Sequence, residues 1–403
     1  MSDPGAPRVL IIVQNLPVPF DRRVWLESLA LRDAGYEVTV VCPQGHGTSA
    51  SQVIEGIRVL GYRPYAPGGS ALSYVAEYAY SFAATAYKVA RARLGGRFDV
   101  LQACNPPEIF WPLARALRLT DGTRFVFDHH DLSPELYRSR FPDGSGMPLR
   151  GLLALERATF RAADRVTSTN ESYAEVARTR GGKRAGEVTV VRTGPDTGRL
   201  KPVEPQPDRR RGRPHLVAYI GVMGPQDGVD LALRAADRVV HQFGREDISF
   251  TLIGSGDSWA DLVSLRDALG LQDYVEMPGR LPDEDVIEVL STADLGLSPD
   301  PKNPLNDVST MNKTMEYMAF GMPVLAFDLR ETRVSAGDAA RYVPANDVDL
   351  YAKELVGLLD DPAARRAMGR SGRRRVEDEL AWPYQRDAYV AVFDDLIAVG
   401  RGR

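Results

Sequence analysis

The feature that most constrains the fold of this chain is a regular alternation of strand-like and helix-like segments along its 403 residues. Short runs rich in β-branched residues, such as RVLIIVQ (8–14), are separated by longer amphipathic stretches. This order is typical of a parallel sheet that is covered by helices on both faces. The alternation stops at residues 195–214, which contain five prolines and a run of arginines, and then resumes. The sequence therefore predicts an α/β protein with two doubly wound domains, residues 1–194 and 215–383, joined by a linker.

Composition narrows the class of protein further. The chain is 44% hydrophobic and 26% charged, and it has no apolar run of the ~20 residues that a membrane-spanning helix needs. Its two cysteines indicate free thiols, so we expect a cytoplasmic protein. Residues 1–200 hold 25 Lys and Arg against 20 Asp and Glu, whereas residues 201–403 hold 25 against 34. A basic first half suits an acidic acceptor or an anionic membrane surface, and scattered solvated charges explain it equally well.

Two glycine-rich turns follow strands of the predicted second domain. Gly221 and Gly224 follow its first strand, and Gly254 follows the next one. Such turns allow a backbone to approach a phosphate, although a single glycine more often serves only a tight turn. The spacing is not G-x-G-x-x-G, which disfavours a dinucleotide site. Since both turns and the start of a later helix fall at one sheet edge, together they favour phosphate binding in a cleft between the domains.

The segment STMNKTMEYMAFGMPVLAFD (309–328) predicts a helix followed by a buried strand. Ser309 or Thr310 is expected to cap the helix. Lys313 and Glu316 lie about one turn apart and share a face, where the cation suits a phosphate and the carboxylate suits ribose hydroxyls. The alternative is an ordinary surface ion pair. The backbone amides expected to meet a diphosphate belong to Ser309, Thr310, Met311, Asn312 and Lys313.

In the first domain, FVFDHHDLSPELY places polar groups just past a strand end. His130, Asp131 and Glu135 could hydrogen-bond a sugar or move a proton there. His129 could equally be a buried residue that bonds to the backbone.

No zinc-binding spacing, nucleophile elbow or P-loop is present, and the acids at 283–285 are interpreted as a helix start and not as a metal site.

Two further segments have open interpretations. In NLPVPFDRRVW (15–25), Asp21, Arg22 and Arg23 suit an anionic acceptor, or they cap and solvate the start of the next helix. Residues 71–94 form an aromatic, alanine-rich helix with basic flanks. Core packing is the more common use of such a helix, and peripheral contact with a membrane is the alternative.

Taken together, these segments resemble the retaining GT-B glycosyltransferases of the group-1, glycogen-synthase-like family, and bacterial members linked to polysaccharide and O-antigen assembly in particular. The resemblance covers essentially the whole chain. The segments that carry it are DRRVWLESLALRDAGYEVTVVCP, ACNPPE, FDHHDLSPELY, VVRTGPD, YIGVMGPQDGVD and STMNKTMEYMAFGMPV, with Trp382-Pro383 before the last helix. It implies a GT-B fold of two Rossmann-like domains, with the last helix, 384–403, returning to the first domain.

The resemblance also implies roles for single residues. Glu316 matches the glutamate that binds the ribose, Arg280 lies in the stretch that contacts the base, and His130 matches the histidine near the transferred sugar. Departures from the family pattern lie at Val308, where a glutamate is usual, and at Val222, where a basic residue is usual. On the acceptor side the implied residues are Phe20, which replaces part of a glycine pair, Asp21, Arg22, Arg23, Asn105 and Glu135.

The sequence thus predicts a metal-independent glycosyltransferase without a bound cofactor. Its partners would be a nucleotide-diphosphate sugar and a hydroxyl acceptor, such as a lipid-linked or polysaccharide precursor. His130 and Asp131 would act at the sugar and Lys313 at the leaving diphosphate. Two alternatives remain: a nucleotide-sugar 2-epimerase with the same fold, and a non-catalytic subunit that binds a nucleotide sugar. The missing glutamate at position 308 motivates the second alternative.

Overall fold

The computed structural model describes residues 5–45, 48–65, 71–141 and 146–401. The chain divides into two compact units. The first unit comprises residues 1–192 together with the C-terminal segment Gln385–Arg403, and the second unit comprises Thr193–Tyr384. The C-terminal segment therefore belongs with the first half of the sequence.

The first unit is built on an eight-stranded sheet with the strand order β3-β4-β2-β1-β5-β6-β7-β8. Its strands are β1 (Arg8–Ile12), β2 (Glu37–Pro43), β3 (Gln52–Ile54), β4 (Ile57–Tyr62), β5 (Val100–Cys104), β6 (Arg124–His129), β7 (Arg165–Ser168) and β8 (Val188–Val190). Neighbouring strands are parallel except at the β3–β4 edge, which is antiparallel. Strand β3 was not predicted, because it has three residues and an exposed Val53, and so lacks the buried pattern of the other strands.

The helices of the first unit cover both faces of this sheet. They are α1 (Arg22–Asp33), α2 (Ala71–Arg93), α3 (Trp111–Asp121), α4 (Ser133–Arg140), α5 (Met147–Ala162), α6 (Glu171–Thr179) and, from the C terminus, α14 (Trp382–Arg401). Helix α1 begins where the Asp21 carboxylate accepts a hydrogen bond from the Val24 amide at 3.1 Å, which satisfies an amide that has no partner within the helix. The core between sheet and helices is aliphatic and aromatic, with Phe98, Phe110, Phe125 and Phe160 fully buried.

The second unit contains a six-stranded parallel sheet in the order β11-β10-β9-β12-β13-β14. Its strands are β9 (His215–Val222), β10 (Ile248–Ser255), β11 (Val275–Gly279), β12 (Leu295–Ser298), β13 (Val324–Phe327) and β14 (Ala340–Val343). Numbered from β9 onwards, this order is 3-2-1-4-5-6, the doubly wound order in which the strand sequence reverses between β9 and β12. Ligands of such sheets bind outside the carboxyl ends of the strands at that reversal.

The helices of the second unit are α7 (Val229–Asp237), α8 (Trp259–Ala268), α9 (Asp283–Thr292), α10 (Asn312–Ala319), α11 (Arg330–Ala336), α12 (Val348–Asp360) and α13 (Pro362–Arg375). Short helical segments at 207–210, 238–242, 306–308, 337–339 and 376–380 complete the described part of the unit. The prediction that the acids at 283–285 open a helix is confirmed, since α9 begins at Asp283.

Residues 195–214 have the composition of a linker, yet they pack on the second unit. Their arginines pair with acids around α9: Arg209 lies 2.6 Å from the carboxylate of Glu288, and Arg210 lies 2.5 Å from that of Asp294. These contacts were not predicted: the basic run neutralises acids of α9 and the acid just before the start of β12.

Among the described residues, no helix has both the length and the apolar content to span a bilayer. On α2, Tyr80 and Tyr87 are exposed whereas Ser81 and Val89 are buried, so one face of this helix packs and the other meets solvent.

Candidate functional site

The second unit brings the two predicted glycine turns against Lys313. A Cβ added to Gly254 would lie 1.8 Å from the carbonyl oxygen of Gly221, and one added to Gly221 would lie 3.2 Å from Cε of Lys313. Only glycine fits at such close approaches. Gly221, Gly254 and Lys313, which were singled out from the sequence, therefore meet at the carboxyl ends of β9 and β10.

Lys313 is buried, and its charge is balanced by an acid that the sequence analysis missed. Its Nζ lies 2.5 Å from Oδ1 of Asp300, the second residue after β12, and 5.2 Å from the centre of the Tyr219 ring. Asp300 is also buried, and its Oδ2 accepts a hydrogen bond from the Ser298 hydroxyl at 2.7 Å. Burial alone would lower the pKa of Lys313, but the carboxylates of Asp300 and Asp227 outweigh it and raise that pKa above its ordinary value.

Hydrogen bonds fix the backbone around this pair. The Gly224 amide donates to the carboxylate of Asp227 at 2.9 Å, which closes the first glycine turn. Asn306 Nδ2 donates to the carbonyl oxygens of Gln226 and Pro301, at 2.9 and 2.8 Å. The loop after β12 is therefore tied to the turn after β9, and Lys313 follows that loop.

The helix that carries Lys313 begins later than predicted. Helix α10 starts at Asn312, and its N-cap residue, Met311, offers no side-chain cap. Ser309 instead donates its hydroxyl to the Leu305 carbonyl oxygen at 2.7 Å, and Thr310 lies in the extended stretch before the helix. The prediction of a hydroxyl cap at 309 or 310 was wrong, because the short helical turn 306–308 takes up Ser309. Asn312 itself is exposed.

The other residues predicted to bind the nucleotide-sugar donor lie near Lys313 in sequence or near the glycine turns in space. Glu316 is partly buried, one turn after Lys313 on α10. Arg280 follows β11, and its Nε donates to the Ser255 hydroxyl at 2.8 Å, which places its guanidinium beside the end of β10. Of the residues predicted to bind the nucleotide, Gly221, Gly254, Lys313 and Arg280 thus lie at the ends of β9, β10 and β11.

The first unit has its own polar cluster, centred on Asp128 at the end of β6. Each of its carboxylate oxygens accepts two hydrogen bonds. Oδ1 accepts from Arg23 Nη2 at 2.7 Å and from the Thr167 hydroxyl at 2.9 Å, and Oδ2 accepts from Arg23 Nε at 3.1 Å and from His130 Nδ1 at 2.8 Å. Burial alone would raise the pKa of Asp128, but Arg23 and His130 outweigh it and hold that pKa well below its usual range.

The hydrogen bonds that Asp128 accepts fix the tautomer of His130. A carboxylate that already accepts from Arg23 and Thr167 can only accept from Nδ1, so Nδ1 carries a proton and Nε2 is the ring nitrogen that can meet a ligand. Burial alone would lower the pKa of His130, but Asp128 outweighs it and raises that pKa. The imidazole is therefore held in one orientation and tends towards its charged form.

Asn105 and Asp131 complete the surroundings of His130. Oδ1 of Asn105 accepts from the amides of His130 and Asp131, at 2.9 and 3.1 Å, and its Nδ2 donates to Glu108 at 2.8 Å. Burial raises the pKa of Asp131, whose carboxylate accepts from the Leu132 amide at 2.7 Å. Asn105, His130 and Asp131, all predicted site residues, are thus brought together.

Other predicted acceptor-side residues have structural partners. Asp21 caps α1, as the alternative interpretation expected, whereas Arg23 is buried against Asp128 and Glu27 and so does not solvate the helix start. Glu135 forms a two-pronged ion pair with Arg180, at 2.6 and 3.0 Å. Phe20 and Arg22 are exposed.

His129 is a core residue. It is fully buried among the rings of Phe127, Phe160 and Tyr173, and burial lowers its pKa to about 3. It is therefore neutral at physiological pH, in contrast to its neighbour His130.

Cys104, Asp128 and His130 place ligand-type atoms within 4.8 Å of one another, but their chemistry does not suit a metal ion. Both oxygens of Asp128 are occupied by donors, one of them the guanidinium of Arg23. Burial raises the pKa of the Cys104 thiol well above its ordinary value, and a thiol binds metal only as the thiolate.

Comparison with known proteins is consistent with this arrangement. Residues 214–361 match the family described as "Glycosyl transferases group 1", and residues 22–194 match the family described as "Glycosyl transferase 4-like domain". Together the two matches cover most of both units.

Individual proteins resemble the chain as well. D-inositol 3-phosphate glycosyltransferase 1 of Catenulispora acidiphila is 28% identical over 65% of this chain and 64% of its own length. A GDP-mannose-dependent monoacylated alpha-(1-6)-phosphatidylinositol monomannoside mannosyltransferase of Corynebacterium glutamicum is 30% identical over 47% of this chain and 51% of its own length. The chain therefore spans less than two thirds of the length of either relative. The structure of sucrose-phosphate synthase from Thermosynechococcus elongatus superposes with a TM-score of 0.76 at 18% identity, covering 98% of this chain and all of that one, which shows the shared GT-B fold.

Proposed function

Because the chain belongs to the group 1 glycosyltransferases, we propose that it transfers a sugar from a nucleotide-diphosphate donor to a hydroxyl acceptor. The observation that supports this most strongly is the meeting of Gly221, Gly254 and Lys313 at the reversal point of the second sheet. Backbone that only glycine permits, next to a lysine, suits a diphosphate. The Corynebacterium relative uses GDP-mannose, as its name states, which agrees with a nucleotide-sugar donor.

In the proposed reaction, the second unit binds the donor. Lys313 and the amides at the start of α10 meet the diphosphate and stabilise its charge as it leaves, and Glu316 accepts hydrogen bonds from the ribose. A phosphate oxygen would share Nζ of Lys313 with Asp300, since these two are paired in the structure. Arg280, at the end of β11, is proposed to contact the base.

The sugar itself is proposed to meet His130, whose Nδ1 is held by Asp128 so that Nε2 faces the ligand as donor. We propose that the transfer retains the anomeric configuration through displacement on the same face of the sugar and needs no metal. The acceptor is proposed to be a lipid-linked or polysaccharide precursor. The configuration is read directly from the anomeric coupling constant of the product by NMR.

A thermal-shift screen with UDP, GDP, dTDP and ADP tests the proposal at its first step. A ligand that binds only the folded state stabilises it by mass action, so we expect one of the four to raise the midpoint of unfolding. A protein stabilised by none of them would not be the proposed enzyme. Incubation of the matching nucleotide sugar without acceptor then distinguishes transfer from epimerisation, because only an epimerase changes the configuration of the sugar while it stays a nucleotide sugar or is released.

Substitutions locate the donor site by calorimetry with the nucleotide diphosphate that the screen identifies. Lys313→Ala removes a charge-assisted contact and should weaken binding by about 10- to 100-fold, and Glu316→Ala should weaken it by roughly 10-fold. Lys302→Ala is the matched control, because Lys302 is exposed on the loop that leads to α10 and its loss should leave the affinity unchanged. Equal affinities for Lys313→Ala, Glu316→Ala and the control would remove both residues from the site.

A further inference from the structure

A buried chain of polar contacts runs from the C-terminal helix into the first unit. The Tyr389 hydroxyl on α14 donates to Gln102 Oε1 at 2.7 Å, and Gln102 Nε2 donates to Glu27 Oε2 at 2.7 Å. Glu27 Oε1 in turn lies 3.0 Å from Nη2 of Arg23. Tyr389, Gln102 and Glu27 are fully buried, and Gln102 and Glu27 stand on β5 and α1.

The chain ends at His130. Arg23 binds both oxygens of Asp128, and Asp128 holds Nδ1 of His130. In the structure Gln102 donates its N–H to Glu27 and its carbonyl oxygen accepts from Tyr389, which is the arrangement that suits an ionised Glu27. A protonated Glu27 would be a donor, so the orientation of this amide is coupled to the charge of Glu27.

The charges of the four ionisable side chains, Arg23, Asp128, Glu27 and His130, can sum to zero in two ways. With Arg23 positive and Asp128 negative, neutrality requires either that Glu27 is ionised and His130 protonated, or that Glu27 holds the proton and His130 is neutral. Burial raises the pKa of Glu27 even though Arg23 opposes this, so the two groups compete for one proton. A Gln102 N–H that donates to Glu27 stabilises its ionised form and thereby favours the charged form of His130.

We propose that Tyr389, Gln102 and Glu27 are positioning residues that keep His130 charged and keep its Nδ1 proton on Asp128. The C-terminal helix is then part of the machinery that prepares the histidine, and Tyr389 acts on it only through the intervening side chains. The effect on sugar transfer rests on the role of His130 under the proposed function, whereas the effect on the imidazole does not.

Several other groups also influence the charge of His130. The charged and titratable groups near it are Asp128 on β6, Arg23 and Glu27 on α1, Asp21 at the start of α1, Cys104 on β5, and His129 and Asp131 on either side of it. None of these side chains is itself substituted in Tyr389→Phe, and among them only Glu27 is expected to change its protonation.

The test substitution is Tyr389→Phe, which keeps the ring that packs 5.0 Å from Phe393 and removes only the donor to Gln102. Without that donor the amide of Gln102 can turn its oxygen towards Glu27, which favours the protonated carboxyl and draws the proton from His130. The matched control is Tyr36→Phe. Tyr36 also packs against Phe393, and its hydroxyl donates to Asp394 on the same helix at 2.5 Å, outside the chain to His130.

The measurement is an NMR pH titration of the full chain labelled at the histidine Cε1–H groups. The chain has five histidines, and His130→Gln identifies the signal of interest. We expect Tyr389→Phe to lower the midpoint of His130 by about half a pH unit, and Tyr36→Phe to leave it in place. Nitrogen shifts of the neutral imidazole should show the proton on Nδ1 in the unaltered chain.

Turnover provides a second, separate result. With the nucleotide sugar found in the screen, Tyr389→Phe should reduce kcat several-fold and leave the donor KM unchanged, because the donor's nucleotide contacts lie in the second unit. Equal His130 midpoints in Tyr389→Phe and Tyr36→Phe, or a neutral ring protonated on Nε2, would overturn the inference. A shifted midpoint in a protein that transfers no sugar would instead count against the proposed function alone.

Discussion

Both units place a buried acid against a cation where strands end, but the two pairs are built differently. In the first unit the two oxygens of Asp128 accept four hydrogen bonds, two of them from Arg23. In the second unit Asp300 accepts from two groups, Lys313 and the Ser298 hydroxyl. A carboxylate that accepts four hydrogen bonds has no lone pair left for a ligand. A carboxylate that accepts only two can lose part of its contact with the lysine to a ligand. The first pair is scaffold, and the second is suited to exchange with a phosphate.

The two cations, Arg23 and Lys313, differ in the same way: the first is fixed and the second can move. Arg23 is a rigid fork that also donates to the Val191 carbonyl oxygen at 2.9 Å, so its guanidinium is fixed from three sides. Lys313 carries a compact charge on a flexible stem, and that stem lies against Gly221. A small movement of its Nζ suffices to exchange one oxygen for another.

The largest expected effect tests whether the first pair is scaffold. Asp128→Asn removes one of the two carboxylates that neutralise the buried Arg23 and should destabilise the first unit by about 3–5 kcal/mol, as breaking buried ion pairs does. Urea unfolding, followed by hydrogen exchange of peptides from β6, measures this loss. Nucleotide affinity should stay unchanged, because the proposed contacts with the nucleotide-sugar donor belong to the second unit.

Thr167→Val is the control for that substitution. It removes the one neutral donor of Asp128 and keeps every charge, so about 1 kcal/mol is expected. If both variants lost stability equally, the ion pair would contribute no more than an ordinary hydrogen bond, and the contrast between the two units would fail.

A third buried acid extends the comparison to a carboxyl without a cation. Glu108 accepts from Asn105 and Ser133, both at 2.8 Å, and burial raises its pKa to about 7. Because the folded state holds this proton above the unfolded pKa of about 4.3, stability is greatest below that value and falls as pH rises towards 7. Glu108→Gln keeps the acceptor oxygen and cannot ionise, so it should gain about 3 kcal/mol over the unaltered chain between pH 4.5 and 8.

The gain is measured as the difference in free energy of unfolding between variant and unaltered chain at each pH. Glu204→Gln is the control, since Glu204 is exposed and its substitution removes the same charge outside the core. A pH-independent difference for Glu108→Gln would mean that Glu108 ionises normally in the folded state.

The Arg23–Asp128 and Lys313–Asp300 ion pairs show which features can be predicted from the sequence and which cannot. The strands of both sheets apart from β3, and the meeting of Gly221 with Lys313, follow from local patterns, since hydrophobic periodicity and strand-to-helix glycines fix the sheet edge. Arg23 and Asp128 are 105 residues apart, and nothing local indicates that they meet. Asp300 is the second residue after its strand, a position that signals the edge, but only the folded loop shows which cation it binds.

The start of α10 was mispredicted, and the contacts of residues 195–214 were not predicted, for a related reason. Ser309 and Thr310 are good capping residues, yet the preceding turn takes up Ser309. The prolines and arginines of 195–214 predict a linker, and its arginines also bind acids that lie far along the chain. Local preference loses in both cases to a partner that only the tertiary structure supplies.

The smallest expected effect tests whether the second pair exchanges with a ligand. Asp300→Asn leaves Lys313 without its strongest competitor for a phosphate, so the nucleotide diphosphate from the screen should bind about tenfold more tightly. The free protein should unfold at a lower temperature, because a buried lysine loses its counter-charge, and the ligand should restore part of that loss. Calorimetry and thermal unfolding of the same samples measure both changes.

Asp307→Asn is the control, because Asp307 lies on the same loop, is partly exposed and pairs with Lys302 at 3.4 Å instead of Lys313. The decisive variant combines Asp300→Asn with Lys313→Ala. If Asp300 acts on the ligand only by competing for this lysine, its substitution should have no effect once the lysine is gone. A weaker affinity in Asp300→Asn would instead mean that the acid holds Lys313 in place for the phosphate, and both pairs would then be scaffold.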